Sequence, residues 1–61
     1  MKIPNYQDEV KHINGDITGT VIAKYVLGLT TYLDVRISEE SVKYRTPAEN
    51  WEVVRAAEEL E

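Results

Sequence analysis

Between residues 31 and 37 apolar and polar side chains alternate without a break, with Leu33, Val35 and Ile37 on one side and Tyr32, Asp34 and Arg36 on the other. A period of two is the signature of a strand with one buried face. It commits this stretch to a sheet, and the β-branched residues and tyrosines that dominate the first three quarters of the chain extend that commitment to their neighbours. A chain of 61 residues buries only about 60% of its unfolded surface, and such domains are marginal. It has no cysteine, so neither a disulfide framework nor a thiolate zinc site can staple it. The core must come from a compact barrel or bundle, or from self-association that hides more apolar surface than one copy can.

Punctuation divides the chain into short elements. Residues 8–13 place Val10 and His12 on one face and Lys11 and Ile13 on the other, and then meet Asn14-Gly15, the dipeptide of a type I′ reversal. Residues 17–26 form the longest strand candidate. Gly19, Val21, Ala23 and Tyr25 fall on one side, and Thr18, Thr20, Ile22 and Lys24 on the other. Gly19 marks a bulge or sharp bend. Gly28 interrupts the next apolar run, which makes residues 26–30 a loop. After the strand at 31–37, the polar turn at 38–41 leads to a short strand in which Val42 and Tyr44 oppose Lys43 and Arg45.

The last sixteen residues have two readings. Thr46-Pro47-Ala48-Glu49 has the form of a capping box with proline at the first helical position. Continued as a helix, it collects Trp51, Val53, Val54, Ala57 and Leu60 on one arc, with Glu49, Glu52, Arg55 and Glu59 opposite. The other reading is one helical turn at 47–50, a fifth strand at 51–54, and a tail.

The order of elements favours the second. Asp8-Glu9-Val10 followed by Gly15-Asp16-Ile17-Thr18-Gly19-Thr20-Val21-Ile22 resembles the opening hairpin of SH3-like barrels of the KOW and Tudor-like type. Thr46-Pro47-Ala48-Glu49-Asn50-Trp51-Glu52-Val53-Val54 looks like the helical turn and closing strand of the same fold. The resemblance implies an all-β chain: a five-stranded SH3-like barrel with one helical turn before the last strand and a short C-terminal tail or helix. It is a single domain over 1–61, with its core at about 8–54 and Val10, Val21, Leu33, Val35 and Val53 facing inward. Ser41-Val42-Lys43-Tyr44-Arg45 is also similar to the Ser-Val-Gln-Ile-Tyr stretch of the plasmid-type (type II) dihydrofolate reductases. Lys43 and Tyr44 replace the Gln and Ile of its substrate-contacting part, so only the architecture carries over.

Chemistry is sparse. His12 is the sole histidine, with no second His or Cys to complete a metal set and no partner to define a triad. The spacing from Gly15 to Gly19 is neither a Walker nor a dinucleotide fingerprint. The acid pairs Asp8-Glu9, Glu39-Glu40 and Glu58-Glu59 read as solvated. No catalytic residue, metal site or cofactor is expected. The net charge of −4 repels a polyanion, so nucleic acid is not the expected partner, although Lys24, Arg36, Lys43 and Arg45 could line one face. The apolar run at 25–29 is far short of the roughly 20 residues of a membrane span. No membrane association is expected, and the expected location is the cytoplasm.

Seven Val, five Ile, four Leu, four Tyr and one Trp compete for a core with room for about ten large side chains. Val26, Leu27 and Leu29 cannot all turn inward. Either they fold back as a lid over the barrel end, or together with Ile22 and Tyr32 they are covered by a second copy. The functional reading is a non-enzymatic interaction or assembly module with a protein or itself as partner, such as an accessory protein encoded by a phage or plasmid. The alternatives are a KOW-like nucleic-acid-associated module and an oligomeric reductase-like enzyme with a pore site.

Overall fold

Five runs rich in β-branched residues pair into one antiparallel sheet in the computed structural model, which describes residues 3–57. The strands are β1 (Glu9–His12), β2 (Thr18–Leu27), β3 (Thr30–Ser38), β4 (Ser41–Pro47) and β5 (Trp51–Arg55), in the order β4-β3-β2-β1-β5. A single 3-10 turn at Ala48–Asn50 connects the two edge strands. The chain is therefore all-β, with its helical turn immediately before the last strand.

Among the described residues no second layer covers this sheet, yet Val10, Val21, Leu33 and Val35 have no exposed surface at all. Only a sheet that curls onto its own inner face can bury them so completely. Trp51 and Ala48 complete the core from the far edge, with Ile37 and Val53 packed against it. The expected inward set is thus correct, with Val53 half-buried. Gly19 allows the curl. It pairs with Val10, and a Cβ placed on it would lie 2.5 Å from the Arg36 carbonyl oxygen and 2.6 Å from a Val35 methyl. Gly19 is therefore a point of close strand approach, and the bulge lies elsewhere, at Ile22.

Val21 pairs with Val35 and Ala23 with Asp34, which leaves Ile22 as the extra residue. An added residue reverses the alternation. Ala23 and Tyr25, expected on the Val21 face, consequently join Asp34 and Tyr32 on the opposite one. A second register shift separates Leu33↔Thr46 from Val35↔Lys43, and Arg45 lies within it at φ 51. The Arg45 backbone N–H donates to Asp34 Oδ1 at 2.8 Å, which holds it in that conformation.

Two turns differ from expectation. Neither Asn14 nor Gly15 has positive φ, so Asn14-Gly15 is no type I′ reversal. β1 and β2 are joined instead by a wider loop, closed by His12 N–H to the Ile17 carbonyl at 2.9 Å. Conversely, residues 26–30 are not a loop. Val26 pairs with Thr31 and Leu27 with Thr30, and the reversal is the two-residue turn Gly28-Leu29. Gly28, at φ 64, is the one positive-φ glycine among the described residues, and glycine at the first central position is what a type II′ hairpin requires.

At the C-terminal end the long helix is excluded by β5. Thr46 makes no cap: its hydroxyl donates to the Leu33 carbonyl at 2.7 Å and accepts from Trp51 Nε1 at 2.9 Å. The Asp8-Glu9 pair is also not simply solvated. Asp8 is 3% exposed and accepts from the Asn5 and Ala57 backbone N–H groups at 2.9 and 2.8 Å, tying the two chain ends together. Glu58, Glu59 and Leu60 lie outside the described residues.

Candidate functional site

The β2–β3 ribbon ends in the Gly28-Leu29 turn, and among the described residues nothing is folded over it. Val26 is 63% exposed, Leu27 46% and Leu29 fully so. The lid alternative is therefore overturned. A two-residue turn is too short to let Leu29 fold back, because both flanking residues, Leu27 and Thr30, are locked in the ladder. Below the turn lies a groove of about 390 Å³, where Leu29, Thr30 and Thr31 approach Ile3 from the N-terminal segment and Pro47 and Ala48 from the 3-10 turn. Ile3 is itself half-exposed. The buried Pro4 next to it and the Asp8 carboxylate that holds Asn5 fix this segment in place.

One pleat back from the turn, Tyr25 stands opposite Tyr32, their rings stacked with centroids 6.1 Å apart. The Tyr25 hydroxyl donates to Asp34 Oδ1 at 2.9 Å. Desolvation, followed by the hydrogen bond and charge of Asp34, raises the Tyr25 phenol above its ordinary value against the opposing pull of Arg45. This pair stiffens the base of the hairpin and leaves its aliphatic end as the accessible part.

Of the residues expected to make contacts, Val26, Leu27 and Leu29 come together at the hairpin end and Tyr32 lies just behind them. Ile22 does not join them: it is half-buried in the bulge further down β2. Ile3, Pro47 and Ala48 were not legible as site residues, because only the folded N-terminal segment and the 3-10 turn bring them beside Leu29. The Tyr25–Tyr32 stack was hidden by the bulge that precedes it.

The basic residues form no single row. Lys24 donates to Asn5 Oδ1 at 2.8 Å and stands opposite Leu33, while Lys43 stands opposite the inward-facing Val35. Arg36 pairs with Thr20 and Val42, on the other face from Lys43. The shift at Arg45 separates it from Lys43, so i and i+2 do not share a face here. Glu9 stands opposite both Thr20 and Arg55, which places an acid between the arginines of one cross-strand row. A second depression of about 420 Å³ lies on that side, with Glu9, Arg36 and Glu39 among its lining residues.

His12 packs edge-on against Trp51 at 5.1 Å, and its Nδ1 accepts from the Asn14 N–H at 3.2 Å. Among the described residues no three metal-ligating side chains come together, and no helix is long and apolar enough to cross a membrane. At the hairpin end the exposed side chains of Val26, Leu27 and Leu29 are aliphatic, and the groove beside them is lined by Ile3, Pro47 and Ala48 together with Thr30, Thr31 and Glu49, the one ionisable residue among the described lining. Such a surface binds by burial. No family model, curated protein or solved structure matches the chain.

Proposed function

We propose that this chain is a non-enzymatic interaction or assembly module of the cytoplasm, built as a small SH3-like barrel of the KOW or Tudor-like type, and that it associates with a second copy through the β2–β3 hairpin end. The barrel assignment is supported by the strand order and by the helical turn before the closing strand. The observation that carries the contact is the exposure of Leu29, Val26 and Leu27 on a hairpin whose backbone is fully paired up to the turn. Contiguous exposed aliphatics of this kind mark interaction sites.

A second copy is the occupant because the surface complements itself. A projecting aliphatic turn sits beside a groove in which Ile3, Pro47 and Ala48 offer apolar surface between Thr30, Thr31 and Glu49, so a two-fold axis would insert each turn at the other copy's groove, as isologous contacts require. The side chains involved offer less than the roughly 800 Å² per partner of a standard interface. The dimer is accordingly weak, with a Kd on the order of tens of micromolar. Light scattering above that concentration tests it. The parent should run as a dimer and Leu27→Asp/Leu29→Asp as a monomer, since each aspartate would be desolvated at the contact. A monomeric parent removes self-association, and a dimeric variant moves the interface off the hairpin.

A further inference from the structure

Asn14-Gly15 plays no part in the contact, and the structure also withholds from it the conformational role that its sequence implies. Neither residue has positive φ, and both are exposed. We infer that Asn14 is a site of spontaneous covalent modification, in which its side-chain amide is lost to water through a cyclic imide formed with the Gly15 backbone nitrogen.

Three observations carry this. First, Gly15 is exposed and has no side chain, so no Cβ substituent shields its backbone nitrogen. Second, that nitrogen is held only by a 3.3 Å contact to the His12 carbonyl, at the long end of hydrogen-bond geometry, so little must be broken to free it. Third, the other two asparagines are poor candidates. Asn5 and Asn50 precede Tyr6 and Trp51, whose side chains crowd the attacking nitrogen. Asn5 is also tied by its side-chain oxygen to Lys24 and by its N–H to Asp8, and Asn50 by its carbonyl to Ile13.

The reaction balances with water as its one co-reactant. The Gly15 nitrogen loses its proton and bonds to the Asn14 side-chain carbonyl carbon. The C–N bond to the side-chain amide then breaks, and that nitrogen leaves as ammonia carrying the proton. Water opens the five-membered imide at either carbonyl, giving an aspartate or an isoaspartate linkage. Water is consumed, ammonia is released, and no oxidant or reductant takes part.

The modification bears on the core through its neighbours. The isoaspartate linkage adds a carbon to the main chain in the loop that fastens His12 to Ile17 and Ile13 to Asn50, at 2.9 and 3.0 Å. His12 packs against Trp51, so loosening that loop changes the environment of the one indole.

The test incubates the folded chain at mildly alkaline pH and maps peptides by mass, with isoaspartate methylation as a second readout. Asn14 should convert about tenfold faster than Asn5 or Asn50, because glycine leaves the nitrogen unshielded. Gly15→Ala should slow it by about the same factor without disturbing the fold, since its φ is not left-handed and the added methyl meets nothing. Trp51 fluorescence should shift with conversion in the parent and stay constant in Gly15→Ala. Equal rates at the three asparagines, or an unslowed Gly15→Ala, would overturn the site. An unchanged Trp51 spectrum in converted protein would overturn its link to the core.

Discussion

Gly19 and Tyr25 show at the residue scale how strictly the curl of the sheet governs side-chain choice. A methyl on Gly19 would meet the Arg36 carbonyl oxygen at 2.5 Å, and that atom is backbone held within the sheet. Gly19→Ala should therefore destabilise the fold by about 1–3 kcal/mol through overpacking, read from urea unfolding. A change below about 0.5 kcal/mol, the size of ordinary surface substitutions, would contradict the close approach. Tyr25 makes a prediction about pH. Its phenol is raised in the folded state, so the native chain holds that proton to higher pH than the unfolded chain does. The resulting stabilisation is fully present below the ordinary tyrosine value of about 10 and is lost as pH rises through the folded value. Denaturant unfolding across the alkaline range should show a shallower decline for Tyr25→Phe than for the parent, and an identical decline would remove the Asp34 interaction as its cause.

At the scale of elements, the Thr46 hydroxyl decides between strand and helix. It bridges the Leu33 carbonyl and the Trp51 indole N–H, joining β3, β4 and β5 at the point where a capped helix would otherwise begin. Thr46→Val keeps the shape and leaves both partners unsatisfied, which costs about 1–3 kcal/mol. A lower urea midpoint with a shifted Trp51 emission is the expected result, and an unchanged midpoint would mean the bridge contributes nothing. The strand at 31–37 was legible because alternation is a local signal, whereas the turn-then-strand at 47–54 was legible only from the order of elements, against a capping-box pattern with proline that points locally to a helix. The bulges at Ile22 and Arg45 were not. Curling the sheet over its core demands them, and neither position carries the glycine or asparagine that would announce one. Asn14-Gly15 misled for the complementary reason: a strong local turn signal yielded to a loop whose width is set by where Ile13 meets Asn50. At the hairpin end the aliphatic run itself was legible, whereas the groove beside it depends on the N-terminal segment and the 3-10 turn and has no signature in sequence.

For the whole molecule, the sign of the salt dependence separates the readings. Each copy carries a net charge of −4, so two copies repel at long range, while the hairpin contact proposed between them would be aliphatic. Salt screens that repulsion over a Debye length of about 10 Å at 0.1 M and leaves the burial of Val26, Leu27 and Leu29 intact. Binding to a polyanion behaves oppositely, because added salt removes its counterion-release driving force. Sedimentation equilibrium of the parent chain at tens to hundreds of micromolar, in low and in moderate salt, is the most direct measurement. Self-association through the hairpin end predicts a monomer–dimer equilibrium that shifts toward dimer as salt is added. A chain that stays monomeric throughout, or a dimer that dissociates with salt, would contradict it.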